Sequence, residues 1–161
     1  MKSLGADDLL QAYPMERLKE ASIFGALSTE AIDWLIHEGD RCRMEAGESL
    51  FEPGQRGDSF YIILEGKIAL YNPEGEHFAH IRDYEEGQQV GFVSTIALHD
   101  RIGKAVATTS TTTLEINYRV FYQLHRHYPA DFGLMVLNLA REMARTIRAM
   151  GETIANLRSA D

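Results

Sequence analysis

The spacing of apolar residues changes twice along the chain. Up to about residue 38 apolar residues recur at helical intervals, and Ser28 stands where an N-cap would begin a helix that ends at Gly39. Between about 40 and 116 they alternate with polar residues or form short blocks separated by glycines, which predicts a sandwich or barrel of many strands. Beyond residue 118 the helical spacing returns. We therefore predict a helical segment at 1–38, a β region at 39–118 and a helical segment at 119–161.

The last predicted helix, from about residue 130 to 157, carries apolar residues at alternating intervals of four and three. They are Val136, Ala140, Met143, Ile147, Met150, Ile154 and Leu157. Such a heptad repeat is typical of a helix that faces another helix. It predicts a parallel homodimer through Val136, Met143, Ile147, Met150 and Ile154. A helix that lies on its own domain is the alternative, and Phe132, Met135 and Leu139 are predicted to pack on the body.

Composition and charge narrow the class of protein. The chain has 161 residues and a net charge of −8, from 16 basic and 24 acidic side chains. This balance disfavours binding to nucleic acid or to an anionic membrane. No stretch approaches the roughly 20 apolar residues that span a bilayer, and Asp7 and Asp8 make the start unlike a signal peptide. We expect a soluble, cytoplasmic protein with no nucleic-acid or membrane partner.

Residues that could support catalysis or bind a metal are few. Cys42 is the single cysteine, which excludes an internal disulfide and a cysteine-based zinc cluster, and the alternation predicts that it is a buried apolar residue. His125 and His127 lie in a predicted helix, where residues two apart do not face each other. Nucleophile-elbow, zinc-protease and P-loop motifs are absent from the sequence. We therefore predict that the chain is not an enzyme.

Residues 48–71 contain the strongest motif. A strand leads into a Gly-x-x-Gly-Asp turn at 54–58, and the strand FYIIL, a Glu-Gly turn at 65–66 and another apolar strand follow. This arrangement closely resembles the cyclic-nucleotide-binding domain family. The resemblance extends over roughly residues 15–157 and implies an eight-stranded jelly roll (a double-stranded β-helix) with N-terminal helices and a long C-terminal dimerisation helix.

The last helix resembles the dimer helix of bacterial catabolite activator proteins, at residues 142–147 (EMARTI) and 152–157 (ETIANL). In those proteins a helix-turn-helix domain follows. None follows within these 161 residues, so we expect no binding to duplex DNA.

The resemblance also implies a phosphate-binding cassette at residues 91–104, where the alternation lapses and a short helical turn is predicted. Gly91 and Arg101 match the family's glycine and its phosphate-binding arginine, at the usual separation. Phe92 stands where the family has the glutamate that accepts the ribose hydroxyl, and a phenyl ring there would fill the ribose space. Met150 takes the place of a hydroxyl residue that contacts the base. The implied ligand-binding residues are Gly91, Phe92, Val93, Ser94, Arg101, Ile102 and Met150.

These observations leave several functional hypotheses open. The first is a stand-alone sensor that binds cyclic AMP or cyclic GMP weakly or with altered selectivity, and passes the signal to a downstream protein partner. The second is a degenerate dimeric interaction scaffold that binds no cyclic nucleotide. A third is another ligand in the same pocket, such as a different anion or haem. Arg101 separates them, because it either awaits a phosphate or is held in an ion pair with Asp100 or Glu86.

Overall fold

The computed structural model describes the backbone of residues 1–158 and the side chains of residues 1–156. Helices are α1 (Ala6–Ala12), α2 (Met15–Leu18), α3 (Thr29–Glu38), α4 (Phe92–Ala97), α5 (Tyr118–His127) and α6 (Pro129–Arg158), with a 3-10 turn at Ser22–Phe24. Strands are β1 (Lys2–Ser3), β2 (Asp40–Met44), β3 (Ser49–Phe51), β4 (Ser59–Glu65), β5 (Lys67–Glu74), β6 (His77–Glu85), β7 (Gln89–Val90), β8 (Lys104–Ala107) and β9 (Thr111–Asn117). The eight strands β2–β9 therefore occupy the predicted β region.

The strands form two antiparallel sheets. One has the order β1-β2-β9-β4-β7 and the other β3-β8-β5-β6, and neighbours in space are often distant in sequence. Together with the flanking helices, this arrangement confirms the predicted jelly-roll fold. The strand β1 was not predicted, because its two residues carry no pattern and gain their conformation only by pairing with β2.

Two cores follow from the alternation of side chains along β4. Phe60, Ile62 and Leu64 point to one side and join α3, α5 and α6 in the cluster that we call the helix-side core. Ile63 points to the other side and joins residues of both sheets in the cluster that we call the interior core. Cys42 was predicted to be buried, but it is half-buried at the edge of the interior core.

The helices begin where local signals predict. The Ser28 side chain accepts a hydrogen bond from the Ala31 N–H and caps α3, as predicted. The helix α5 ends at His127, and Pro129 is the first residue of α6, a position where its missing N–H has no consequence.

The N-terminal half of the helix α6 is packed on the helix-side core. Met135 and Leu139 are fully buried in the helix-side core, as predicted, and Asn138 donates to the carbonyls of Ile23 and Gly25 at 3.1 and 2.9 Å. Farther along, Met143 is half-buried against the same core, whereas Ile147 is 69% exposed. The Leu157 side chain lies outside the described residues.

Candidate functional site

The short helix α4 begins at a glycine that no other residue could replace without strain. Gly91 is its N-cap, with φ of +87°, in the left-handed region. A Cβ at this position would lie 2.7 Å from a guanidinium nitrogen of Arg101 and 3.3 Å from the ring of Phe51. The glycine therefore permits both the turn into α4 and the close approach of the arginine.

The end of the cassette is fixed to the Gly-x-x-Gly-Asp turn that the sequence singled out. The Gly54 N–H donates to the Arg101 carbonyl at 2.8 Å, and the Arg101 N–H donates to the Gln55 carbonyl at 2.7 Å. A Cβ on Gly57 would collide with the carbonyl oxygen of His99. The turn thus sets the backbone position of Arg101.

The side chain of Arg101 points inward and is only 4% exposed. Its Nη1 donates to the Gly91 carbonyl at 2.6 Å, and its Nη2 donates to the Ser59 carbonyl on β4. The Thr95 hydroxyl donates to the same Ser59 oxygen at 2.6 Å. A buried polar cluster of Arg101, Thr95, Gly91 and Ser59 therefore ties the cassette to β4; we call it the arginine latch.

Aromatic rings border the guanidinium. Its central carbon lies 4.4 Å from the ring centroid of Phe51 and 5.9 Å from that of Tyr61, distances at which the ring quadrupole attracts a cation. The guanidinium is thus enclosed by carbonyl oxygens and aromatic surface.

No carboxylate lies within ion-pair distance of Arg101 among the described residues. The proposed ion pair with Asp100 or Glu86 is therefore wrong, and Glu86 instead pairs with Arg17 at 2.8 Å. Loss of solvent lowers the pKa of the guanidinium, while Tyr61 and Asp58 act in the opposite direction. The direct hydrogen-bond partners of the charge are carbonyl oxygens.

Phe92 is buried among the helices. Its side chain is 4% exposed and belongs to the helix-side core, whereas Phe51 beside the guanidinium belongs to the interior core. The ring therefore packs in a different core from the ring that borders the guanidinium. Of the other implied ligand residues, Val93 and Ile102 are exposed and Ser94 is half-buried.

Met150 lies apart from the cassette. It lines a groove of about 680 Å³ between α6 and β6, beside Ile81, Arg82 and Ile154. Across this groove Arg82 lies 3.8 Å from a carboxylate oxygen of Glu142. The structure thus brings Gly91 and Arg101 together but places Met150 in a different groove.

Sequence reasoning missed two parts of the arginine latch. Thr95 is not among the implied ligand-binding residues, although it is buried and its hydroxyl donates to a carbonyl of β4. Ser59 takes part through its backbone carbonyl, which every residue has, so no sequence signal could have identified it.

A second cavity, of about 470 Å³, lies on the outer side of α4. It is lined by Arg56, Gly57, Asp58, Thr95, Leu98, His99, Asp100 and Tyr118. In the part of the chain that the structure describes, no group of three or more His, Cys, Asp or Glu side chains is placed to hold a metal ion. No helix among these residues is long and apolar enough to cross a membrane.

Comparisons with known proteins agree with this geometry. A family model described as cyclic nucleotide-binding domain matches residues 41–128. The crystal structure of a cyclic nucleotide-binding domain from Methylobacillus flagellatus superposes with a TM-score of 0.80 at 21% identity, covering 95% of this chain and 86% of that one. The catabolite activator protein of Thermus thermophilus superposes with a TM-score of 0.73 at 25% identity, covering 84% of this chain and 62% of that one.

Curated relatives are longer than this chain. The lysophospholipase NTE1 of Yarrowia lipolytica is 22% identical over 163 residues, which cover 89% of this chain but 11% of the relative. The cyclic AMP receptor protein of Thermus thermophilus is 26% identical over 132 residues, covering 81% of this chain and 59% of the relative. The chain thus spans about a tenth of the length of the lysophospholipase and about three fifths of the length of the cyclic AMP receptor protein.

Proposed function

This chain belongs to the cyclic nucleotide-binding domain family, and on that premise we propose that it is a dimeric regulatory module that acts through protein contacts, with a cassette closed to cyclic nucleotides by its own arginine. The single observation that carries the proposal is the arginine latch. The guanidinium of Arg101, the group that the family resemblance assigns to the phosphate, is buried and donates to the carbonyls of Gly91 and Ser59.

Closure lowers the affinity for any ligand that needs the guanidinium. A cyclic phosphate that takes over Nη1 and Nη2 must first displace two hydrogen bonds from a charged donor, each of which contributes about 1.5–3 kcal/mol. If opening costs about 3 kcal/mol in total, the binding-competent fraction falls by about two orders of magnitude, and the apparent affinity falls with it. The carboxylate that would accept the ribose hydroxyl is also replaced by Phe92, whose ring lies in the helix-side core.

The dimer is supported by the exposed half of α6. Ile147, Met150 and Ile154 are large apolar residues that remain exposed on one helix, at the heptad intervals that the sequence showed. Such a stripe on a protein of this size marks a surface for another chain. A cytoplasmic location remains a prediction.

The proposal is tested by titration calorimetry with cyclic AMP and cyclic GMP. We expect no saturable heat up to about 1 mM nucleotide, the concentration that corresponds to about −4 kcal/mol of binding free energy. The closed cassette would be overturned by saturable binding at nucleotide concentrations well below about 1 mM, if Arg101→Ala abolishes that binding and Arg56→Ala preserves it. Arg56 is a suitable control because it is exposed and pairs with the neighbouring Asp58 at 3.2 Å.

One observation favours a weak sensor as the second candidate. Gly91 and Arg101 keep their contact at the start and end of the cassette, and a guanidinium has more N–H donors than the two used here. A ligand that opens the latch would then release β4 from the cassette. This candidate predicts nucleotide binding that strengthens when Thr95→Val weakens the closed state, whereas the scaffold predicts no binding to either protein.

A further inference from the structure

The outward face of α5 carries an aromatic stripe. Successive residues of an α-helix are about 100° apart, so Tyr118, Tyr122 and His125 lie on one side of α5. Val120 and Leu124 lie on the opposite side and are fully buried in the helix-side core. Tyr118 and Tyr122 are 56% and 51% exposed, so their rings face outward although the helix itself is well anchored.

The stripe borders a cavity of about 270 Å³ between α5 and the start of α6. The lining residues are Tyr118, Phe121, Tyr122, His125 and Phe132. The His125 ring centroid lies 6.4 Å from that of Tyr122 and 5.0 Å from that of Phe132. Tyr118 also lines the cavity beside α4, where Leu98 is 80% exposed. The aromatic surface therefore continues from α5 to the outer side of the cassette.

The charge of this face is opposite to that of the whole chain. The helix α5 contains Arg119, His125, Arg126 and His127 and no acidic residue, whereas the chain carries a net charge of −8. Arg119 and Arg126, seven residues apart, flank Tyr122 on the exposed side. Within the described residues the Arg126 side chain makes no hydrogen bond or ion pair, whereas Arg119 donates to the side-chain oxygen of Gln123 at 3.3 Å and pairs with Glu38 at 3.9 Å. The guanidinium of Arg126 therefore remains available beside the rings.

We propose that this α5 aromatic face docks a short acidic amphipathic helix of a partner protein. Tyrosine and arginine are the residues most enriched where protein interfaces gain their binding energy. An amphipathic helix that lays its apolar side in a groove can place an acidic residue against the unpaired guanidinium of Arg126. A long polyanion is disfavoured because it extends beyond the patch and meets the net negative charge of the chain. The inference rests on the proposed role as a protein-contacting module and names the partner's chemistry.

The test uses three synthetic peptides of about 14 residues, long enough for nearly four helical turns. One carries leucines at helical spacing and glutamates elsewhere, the second has lysines in place of the glutamates, and the third is a scramble of the first. Fluorescence anisotropy should show that only the first binds, with an affinity in the tens of micromolar, or about −6 kcal/mol. Binding should weaken as salt rises, because exposed charges are screened.

Variants of the α5 aromatic face should lose this binding. We expect Arg126→Glu and Tyr122→Ala each to weaken it at least tenfold, and Arg43→Glu, a charge reversal at an exposed arginine on β2, to leave it unchanged. Circular dichroism checks that all three variants are folded.

Several results would overturn the docking proposal. One is that the acidic peptide does not bind, or that the lysine or scrambled peptide binds as tightly as the acidic one. Another is that Arg126→Glu and Arg43→Glu weaken the binding of the acidic peptide equally. A third is that single-stranded DNA or anionic vesicles bind more tightly than the acidic peptide. A change of oligomeric state in Arg126→Glu would instead make the face an interface between copies. Nucleotide calorimetry is independent of all these outcomes, so cyclic AMP binding would overturn the closed cassette and leave a positive peptide result standing.

Discussion

Replacing Arg101 by alanine should destabilise the protein in the absence of any ligand. The substitution removes the Nη1 bond to the Gly91 carbonyl and the Nη2 bond to the Ser59 carbonyl. It also removes the stacking of the guanidinium on Phe51. If the arginine were waiting for a phosphate, its loss would instead leave the unliganded protein nearly unchanged.

The expected magnitude follows from these contacts. Two hydrogen bonds from a charged donor contribute about 3–6 kcal/mol, and a partly desolvated cation–π contact adds about 1–2 kcal/mol. The free energy that the folded protein spends on keeping a guanidinium out of water, visible as its lowered pKa, offsets a large share. We therefore expect a loss of about 2–4 kcal/mol in the free energy of unfolding. For a chain of this size that lowers the melting temperature by about 5–15 °C.

Urea unfolding followed by circular dichroism measures this loss, at one protein concentration because an oligomer's stability depends on it. Arg56→Ala is the matched control and should change stability by less than about 0.5 kcal/mol, as is usual for an exposed ion pair. Arg101→Lys should fall between wild type and Arg101→Ala, since an ammonium keeps the charge but lacks the planar fork that reaches two carbonyls. An Arg101→Ala protein within about 0.5 kcal/mol of wild type would refute the latch.

Three further predictions concern the dimer, the helix-side core and alkaline pH. Ile147→Glu places a charge on each copy of α6 in the proposed dimer and should give monomers in light scattering at tens of micromolar protein, a concentration corresponding to about −6 kcal/mol. A wild-type protein that is already monomeric at this concentration would contradict the dimer. Phe92→Glu places a carboxylate in the helix-side core, where the ring of Phe92 is buried. The variant should therefore lose about 3 kcal/mol or more of stability, whereas Val93→Glu at an exposed position should lose little. Burial and a 2.6 Å hydrogen bond to Glu65 raise the pKa of Tyr13, and burial raises that of Tyr61 and Tyr84. The folded protein therefore favours the neutral forms of these tyrosines. The free energy of unfolding should be fully present below about pH 10 and fall as pH rises further, and it should fall less steeply in Tyr13→Phe. A free energy of unfolding from urea melts that does not change above about pH 10 would contradict this.

Elements with a local cause could be predicted from the sequence. The alternation of apolar residues placed the strands, the Ser28 cap placed the start of α3, and the lapse around Gly91 predicted α4. Residues two apart in a strand, and residues four apart in a helix, face the same side whatever the rest of the chain does. The match to a known family could also be found in the sequence, since the motif at residues 48–71 lies in the segment that a family model recognises.

The contacts of the candidate site depended on the tertiary structure. Family spacing predicted that Gly91 and Arg101 belong together, but not that the arginine would donate to a backbone carbonyl 42 residues away on β4. Likewise, no local rule decides whether the first residue of α4 points to the helix-side core or to the interior core, and Phe92 follows the apolar surface of the helices. The two-residue strand β1 exists only because β2 offers it a partner. Sequence pattern by itself determined most of the elements, because those depend on local periodicity, and the resemblance to a known family implied the fold. Which groups Arg101, Phe92 and Met150 meet was decided by packing between distant segments, where backbone atoms common to every residue become specific partners.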